Sequence, residues 1–496
     1  MKTKEVFIGL LFLLVLFSCK KEQNTASDLR YAVTYNTNNI PSLDVEFSYK
    51  TDEKGILILD FLNSSSGDND IFNCLKKIKV KNAKANVSFV RDSNFIKITS
   101  VPNKKLEITY SIVQDFKEPL YNYHRYRPII NKDYFHVLGV RLFVVPTEIF
   151  KTEKDSTVIN VTWKGIQEKG IVQSSFGITK NQTFTVNQED LYGSYIVGGD
   201  FRRYQFKYLE KPVYFVTRGK WESFSDIEVF NILKETITFQ NEFWDDTIND
   251  MFSVSLIPTE EKNGYSIGGS GFSNSFISFA SNNQYTKAEK LFWLYNHELL
   301  HKWILRTIKN ENDVEQYWFS EGFTDYYAHK LLLKNNKSSI EEYITTLNKI
   351  LKAHYQDKLN SIPNSQMTFS NYWGNYAQYQ KLPYRRGLLY AFLIDSKIKI
   401  KQSFNKSLDD FMKELLELAK SDENMRLNNK IFKEMLTKYL SKNDIEEFEK
   451  YILKGEMIDF KGQLLKGIDV VLDGQTPKLV IKKNQDLKQL KQQLQL

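Results

Sequence analysis

The residues best suited to chemistry stand in one short run, His297-Glu298-Leu299-Leu300-His301, in a chain with only 6 histidines. Histidines four positions apart on a helix project from one face, one turn above the other, so both imidazoles can reach a single zinc ion. Glu298 then lies on an adjoining part of the surface, where its carboxylate can take a proton from a metal-activated water without being a ligand itself. An amphipathic helix can also carry two surface histidines for no chemical reason. What decides is a third ligand, because a catalytic zinc takes three protein donors and keeps one position open.

A candidate follows in Trp318-Phe319-Ser320-Glu321-Gly322-Phe323-Thr324-Asp325-Tyr326-Tyr327. Glu321 falls in the first turn of an expected helix that Ser320 could cap, and Asp325, four residues on, shares its face. Glu321 is the expected third ligand. Asp325 is the expected acceptor for the far nitrogen of a ligating imidazole, fixing its tautomer and raising its basicity. Without the upstream histidines the same pair would be an ordinary acidic helix start.

HExxH followed by Trp-x-x-Glu-Gly-x-Thr-x-Tyr-Tyr resembles the gluzincin metallopeptidases, and specifically the glycyl aminopeptidase family. His301-Lys302-Trp303 is similar to that family's His-x-Trp, with Ile304 where an Asn commonly follows. Leu382-Pro383-Tyr384-Arg385-Arg386-Gly387 resembles its Tyr-x-Lys-Gly segment, with Arg386 in place of the Lys. The resemblance implies a peptidase with one Zn2+ per chain, a peptide substrate, and Tyr384 pointing its hydroxyl at the oxyanion. A phenol at a helix start suits that role physically. A packing tyrosine is the alternative in a chain with 28 of them.

The resemblance also implies an aminopeptidase acting on small N-terminal residues. Related aminopeptidases carry a Gly-rich strand with a glutamate that binds the substrate amine, whereas this chain has Gly268-Gly269-Ser270-Gly271-Phe272 and no glutamate there. The stretch 263–275 reads as a Gly and Ser rich loop. Gly268, Gly269, Ser270 and Gly271 could pair through their backbone with an extended peptide, or form a turn of no catalytic importance. Glu260 and Glu261, just upstream, are possible substitutes for the missing carboxylate. An endopeptidase or oligopeptidase with the same zinc site is the nearest rival, and a catalytically silent surface binding protein is the rival of a different class.

The elements that must position these residues follow from length and periodicity. A chain of 496 residues exceeds what one core usually organises. Short segments rich in Val, Ile, Phe and Tyr from Tyr31 to about Lys180 read as strands of an antiparallel sandwich or saddle, and 206–217 as a further strand pair. Beyond Glu222 the apolar spacing turns helical, with helices expected at 287–307, 320–335, 338–354 and 383–400 among others. The expectation is a multidomain α+β protein: an N-terminal antiparallel β domain over 28–215, a thermolysin-like α+β zinc catalytic domain over 216–340, a C-terminal helical domain over 341–456, and a short appendix over 457–496. Family members often carry a PDZ domain after the helical region, and the residues past Gly455 are too few for one.

A net charge of +8, scattered among carboxylates, leaves no stripe for nucleic acid. Two cysteines, Cys19 and Cys74, are too few and too far apart for a disulfide framework or a thiolate metal site. Cys74 reads as a small buried hydrophobe. Lys2 and Lys4 precede an apolar run from Val6 to Phe17 that suits a secretory signal over 1–18. Leu16-Phe17-Ser18-Cys19 resembles a bacterial lipobox, which implies lipidation of Cys19, a tether over 19–27, and a membrane partner through that lipid. A plain signal peptide is the alternative. The absence of an aspartate directly after Cys19 resembles lipoproteins sent to the outer membrane, with leaflet and orientation open.

Overall fold

The computed structural model describes residues 28–64, 67–90, 94–117 and 119–496. The expected signal, Cys19 and the tether lie outside the described residues. Among those described, no helix is long and apolar enough to cross a membrane.

Period-two alternation builds the N-terminal part. Strand Leu29–Asn36 buries Leu29, Tyr31, Val33 and Tyr35 on one face. It lies inside a six-stranded sheet in the order Asn181–Asn187, Ser156–Lys164, Leu29–Asn36, Ser42–Lys50, Lys105–Val113, Leu75–Val80. The sheet is mixed rather than wholly antiparallel, since Leu29–Asn36 and Ser156–Lys164 run parallel. The long intervening chain makes that crossover possible. Leu57, Leu59, Ile96 and Ile98 from a second, four-stranded sheet complete the same core, in which Cys74 is buried.

A third sheet joins this part to the next. Strands Tyr134–Leu138 and Tyr195–Gly199 are buried on both faces: Phe135, Val137 and Ile196 enter the N-terminal core, while Tyr134, Leu138, Tyr195 and Val197 meet Val216, Ile257, Ile277 and Phe279. Those last four residues belong to a five-stranded sheet in the order Arg202–Tyr208, Lys211–Thr217, Phe252–Thr259, Ser275–Ser281, Ile267–Gly271. Two expectations are corrected here. The strand pair around 206–217 is part of this five-stranded sheet, because Lys211–Thr217 bonds in parallel to Phe252–Thr259, so the expected boundary at 215 falls inside one of its strands. Alternation tells which face of a strand is buried but not which strand it pairs with. Likewise 263–275 is not a loop throughout, because Ile267–Gly271 forms the sheet's edge strand.

Helices Ala288–Leu300, Gly322–Lys334 and Leu382–Lys401 share one core with this sheet, through residues such as Leu294, Phe323 and Phe392. The protein is thus a multidomain α+β chain with N-terminal β-sheets and a C-terminal helical region. The last two of these helices touch at glycines: a Cβ on Gly322 would stand 2.4 Å from Gly387 Cα, and one on Gly387 1.7 Å from the Trp318 carbonyl oxygen. A buried ionic group ties them again, with Lys330 Nζ 2.6 Å from Asp409 and 3.4 Å from Asp395, and Lys399 Nζ 2.7 Å from Asp395. Residues 457–496, expected as an appendix, form a hairpin and the helix Leu487–Gln495, which bury Ile468, Leu479, Leu490 and Leu494 in the same core.

Candidate metal centre and substrate cavity

His297 and Glu298 lie in the last turn of helix Ala288–Leu300 and His301 caps it, all three side chains buried. Glu321 sits at the junction of the short helix Tyr317–Ser320 and helix Gly322–Lys334, as the cap residue of the latter. Ser320, expected to cap that helix, belongs to the preceding one, and its buried hydroxyl has no hydrogen-bond partner. The chain continues helically through Glu321 instead of entering extended, so no side-chain cap can form.

Glu321 Oε2 stands 3.4 Å from His297 Nε2 and 3.7 Å from His301 Nε2. Donors about 2 Å from a tetrahedral ion are spaced roughly 3.3 Å apart, so Glu321 stands near that separation from both imidazoles, and all three donor atoms lie within 4.8 Å of one another. Glu321 Oε2 is enclosed and lacks a hydrogen-bond partner, an orphaned anion that a cation would satisfy. The outer imidazole nitrogens are held as well. His297 Nδ1 is 3.0 Å from Asp325 Oδ1, and His301 Nδ1 is 3.3 Å from the Ile304 carbonyl oxygen. Donation from both Nδ1 atoms leaves the Nε2 lone pairs aimed at one point. Sequence spacing anticipates the Asp325 contact and not the Ile304 one.

The carboxylates around the imidazoles give the site a field that suits a cation. Burial alone would push His297 down, but Asp325 and Glu321 outweigh it and hold its pKa up at about 10. Burial would raise Glu321, but His301 and His297 hold it down to about 2. Burial lowers His301 to about 4 against the pull of Glu321. Two carboxylates thus surround the His297 ring, and a cation bound at its Nε2 would compete with a proton there. Burial raises Glu298 to about 7, a value poised for proton transfer near neutral pH.

Tyr384 is in the first turn of helix Leu382–Lys401, where the Gly322 and Gly387 contact brings it beside Glu321. Its ring stacks on that of His297 at 5.9 Å and 13°. These groups open onto a cavity of about 790 Å³. Of the residues expected to bind substrate, Gly269, Ser270 and Gly271 line it. Gly268 does not, since a Cβ there would meet the Asn122 side chain at 2.6 Å. Glu260 and Glu261 are elsewhere too: their carboxylates accept from the backbone N–H groups of Leu120 and Asn122. The cavity's remaining walls escaped sequence analysis. Arg125 and Tyr126 come from the N-terminal part, and Tyr372, Trp373 and Tyr376 form an aromatic wall. The density of aromatics just before Tyr384 was the one available signal.

Residues 290–458 match the model of the M61 glycyl aminopeptidases. Over this stretch, about a third of the chain, the sequence is similar to that family. The M61 stretch contains both histidines, Glu298, Glu321, Asp325 and Tyr384, the whole constellation described above. No curated protein sequence matches the chain. In fold it is similar to an aminopeptidase N family protein from Idiomarina loihiensis, at 15% identity and a TM-score of 0.74, over 89% of this chain and 79% of that one. It is also similar to a variant M1 zinc metallopeptidase from Deinococcus radiodurans bound to a Tyr-Ser-Ala substrate, at 13% identity and a TM-score of 0.52, over 88% and 95% of the two chains. The fold is thus similar to that of these two solved structures.

Proposed function

We propose that the protein is a zinc-dependent peptidase that removes small residues from the free amino ends of peptides. The convergence of His297, His301 and Glu321 beside an enclosed Glu298 carries this reading, and the M61 match and the zinc metallopeptidase fold support it. Bound zinc would supply a Lewis acid for the scissile carbonyl and acidify water. Glu298, raised to about 7 by burial, takes the proton of the attacking water and returns it to the leaving amine. Tyr384 donates its hydroxyl hydrogen bond to the carbonyl oxygen as negative charge develops there. The open side of the edge strand Ile267–Gly271 offers backbone groups to an extended peptide. A Cβ on Gly269 would stand 2.7 Å from Glu298 Oε1, so the bare backbone lets substrate and base approach together.

One observation favours the endopeptidase reading: the edge strand has no glutamate for a substrate amine, and Glu260 and Glu261 are engaged elsewhere. Hydrolysis of free and N-acetylated Gly and Ala peptides separates the two. Cleavage confined to free amino termini is expected, and equal cleavage of blocked peptides would move the assignment to endopeptidase. The lipobox-like Cys19 supports an exported lipoprotein of the outer membrane. Metabolic labelling with a radioactive fatty acid should mark the chain and fail in Cys19→Ala, and labelling that persists in that variant would refute the anchor.

A further inference from the structure

Three arginines line the cavity, and two are neutralised: Arg306 lies 2.8 Å from Glu189, and Arg426 lies 2.6 Å from Glu153. Arg125 is different. Among the described residues no carboxylate lies within ion-pair distance of it, its Nη1 donates to the Asn122 carbonyl oxygen at 3.2 Å, and its Nε is enclosed without a partner. Arg203 and Arg386, also without a paired carboxylate, spend their donors on carbonyl or amide oxygens of the fold, while Arg141, which keeps an enclosed Nη1 without a partner, is buried and does not line the cavity. The Arg125 guanidinium lies over the Tyr126 ring at 4.5 Å; its polar neighbours besides Asn122 are the neutral hydroxyls of Tyr126 and Tyr376, with the base Glu298 farther off.

Its placement is built rather than incidental. The turn that carries Arg125 is pinned by Glu260 and Glu261, which accept from the backbone N–H groups of Leu120 at 3.1 Å and Asn122 at 2.7 Å. Asn122 in turn packs on Gly268 of the edge strand, one residue from Gly269, which faces Glu298. So the two glutamates absent from the cavity fix a cation at its wall, beside the strand on which a peptide would lie. An enclosed guanidinium without an anion is costly, and its planar fork matches carboxylate and phosphate oxygens, of which an unmodified peptide carries the carboxylate.

We propose that Arg125 binds a carboxylate of the substrate, so that the preferred peptides carry an acidic group next to the scissile bond. That group is either the terminal carboxylate of a very short peptide or the side chain of Asp or Glu. The proposal rests on the peptidase reading above, and it narrows the substrate class within it.

Binding to zinc-loaded Glu298→Gln, which holds peptides without cleaving them, tests it by calorimetry with three matched pairs: Gly-Ala and its amide, Glu-Ala amide and Gln-Ala amide, Ala-Glu amide and Ala-Gln amide. The acidic member of at least one pair should bind roughly ten- to a hundredfold tighter, and the pair that shows it identifies the source of the carboxylate. Adding Arg125→Gln should erase the difference while zinc content stays at that of the parent. Adding Arg125→Lys, which keeps the charge and loses the fork, should retain part of it and serves if the Gln variant does not fold. Equal binding within all three pairs overturns the proposal, as does a preference that survives Arg125→Gln or is undiminished in Arg125→Lys. Failure of the wild-type protein to hydrolyse any of the six peptides would count against the peptidase reading instead, and the binding comparison would still decide the role of Arg125.

Discussion

Asp325 Oδ1 lies 3.0 Å from His297 Nδ1, one turn along the helix whose first residue follows Glu321, so a single helix start supplies both a candidate metal ligand and the group that orients a second candidate. Asp325→Asn keeps the shape of that contact and removes its charge. Zinc affinity should fall about 10–100-fold, read by competition with a chelator. An unchanged affinity would remove Asp325 from the account.

Tyr384→Phe deletes one hydroxyl from the cavity and leaves the stack on His297 in place. If the phenol serves the developing oxyanion, kcat should drop about 10²–10³-fold with KM little changed. A rise in KM alone would instead make Tyr384 a substrate-packing residue.

The pH profile follows from Glu298. Burial raises its carboxyl to about 7, and only the ionised form accepts a proton, so activity is lost as pH falls through its pKa. A cation held next to it favours the carboxylate and moves that limb below 7. The profile of kcat/KM should therefore show an acid limb at or below about 7. An acid limb clearly above 7 would assign the base elsewhere.

Gly387 is where helix Leu382–Lys401 meets the chain that carries Glu321. An added Cβ would stand 1.7 Å from the Trp318 carbonyl oxygen and 2.8 Å from Gly322 Cα, both backbone atoms that cannot move aside locally. Gly387→Ala should cost about 3 kcal/mol of stability and lower activity by displacing Tyr384. Thermal unfolding checks the first effect, and a melting temperature equal to the parent's would contradict the packing described.

What the sequence made legible was chemistry on one helix at a time. His297, Glu298 and His301 share a helix, and Glu321 and Asp325 flank one helix start, so fixed spacings point to a face. Tyr384 needed a family resemblance because nothing local links it to the histidines. Arg125 and Tyr126 lie far upstream and reach the cavity only because the third sheet packs the N-terminal part onto the catalytic sheet. The edge strand was hidden by composition: glycines disfavour strands, and Ile267–Gly271 pairs on one side only. The strand pair near 206–217 is legible as strands, while its parallel partner Phe252–Thr259 is not, since pairing partners are not written in a strand's own alternation.

The central claim is that His297, His301 and Glu321 hold a zinc ion that works with Glu298. Metal analysis and peptide turnover on the wild type, Glu321→Ala and Glu298→Gln test it together. The account predicts one zinc in the wild type, little in Glu321→Ala, and one zinc in Glu298→Gln with turnover lower by about 10²–10⁴-fold. Full zinc in Glu321→Ala, or wild-type turnover in zinc-loaded Glu298→Gln, would contradict it.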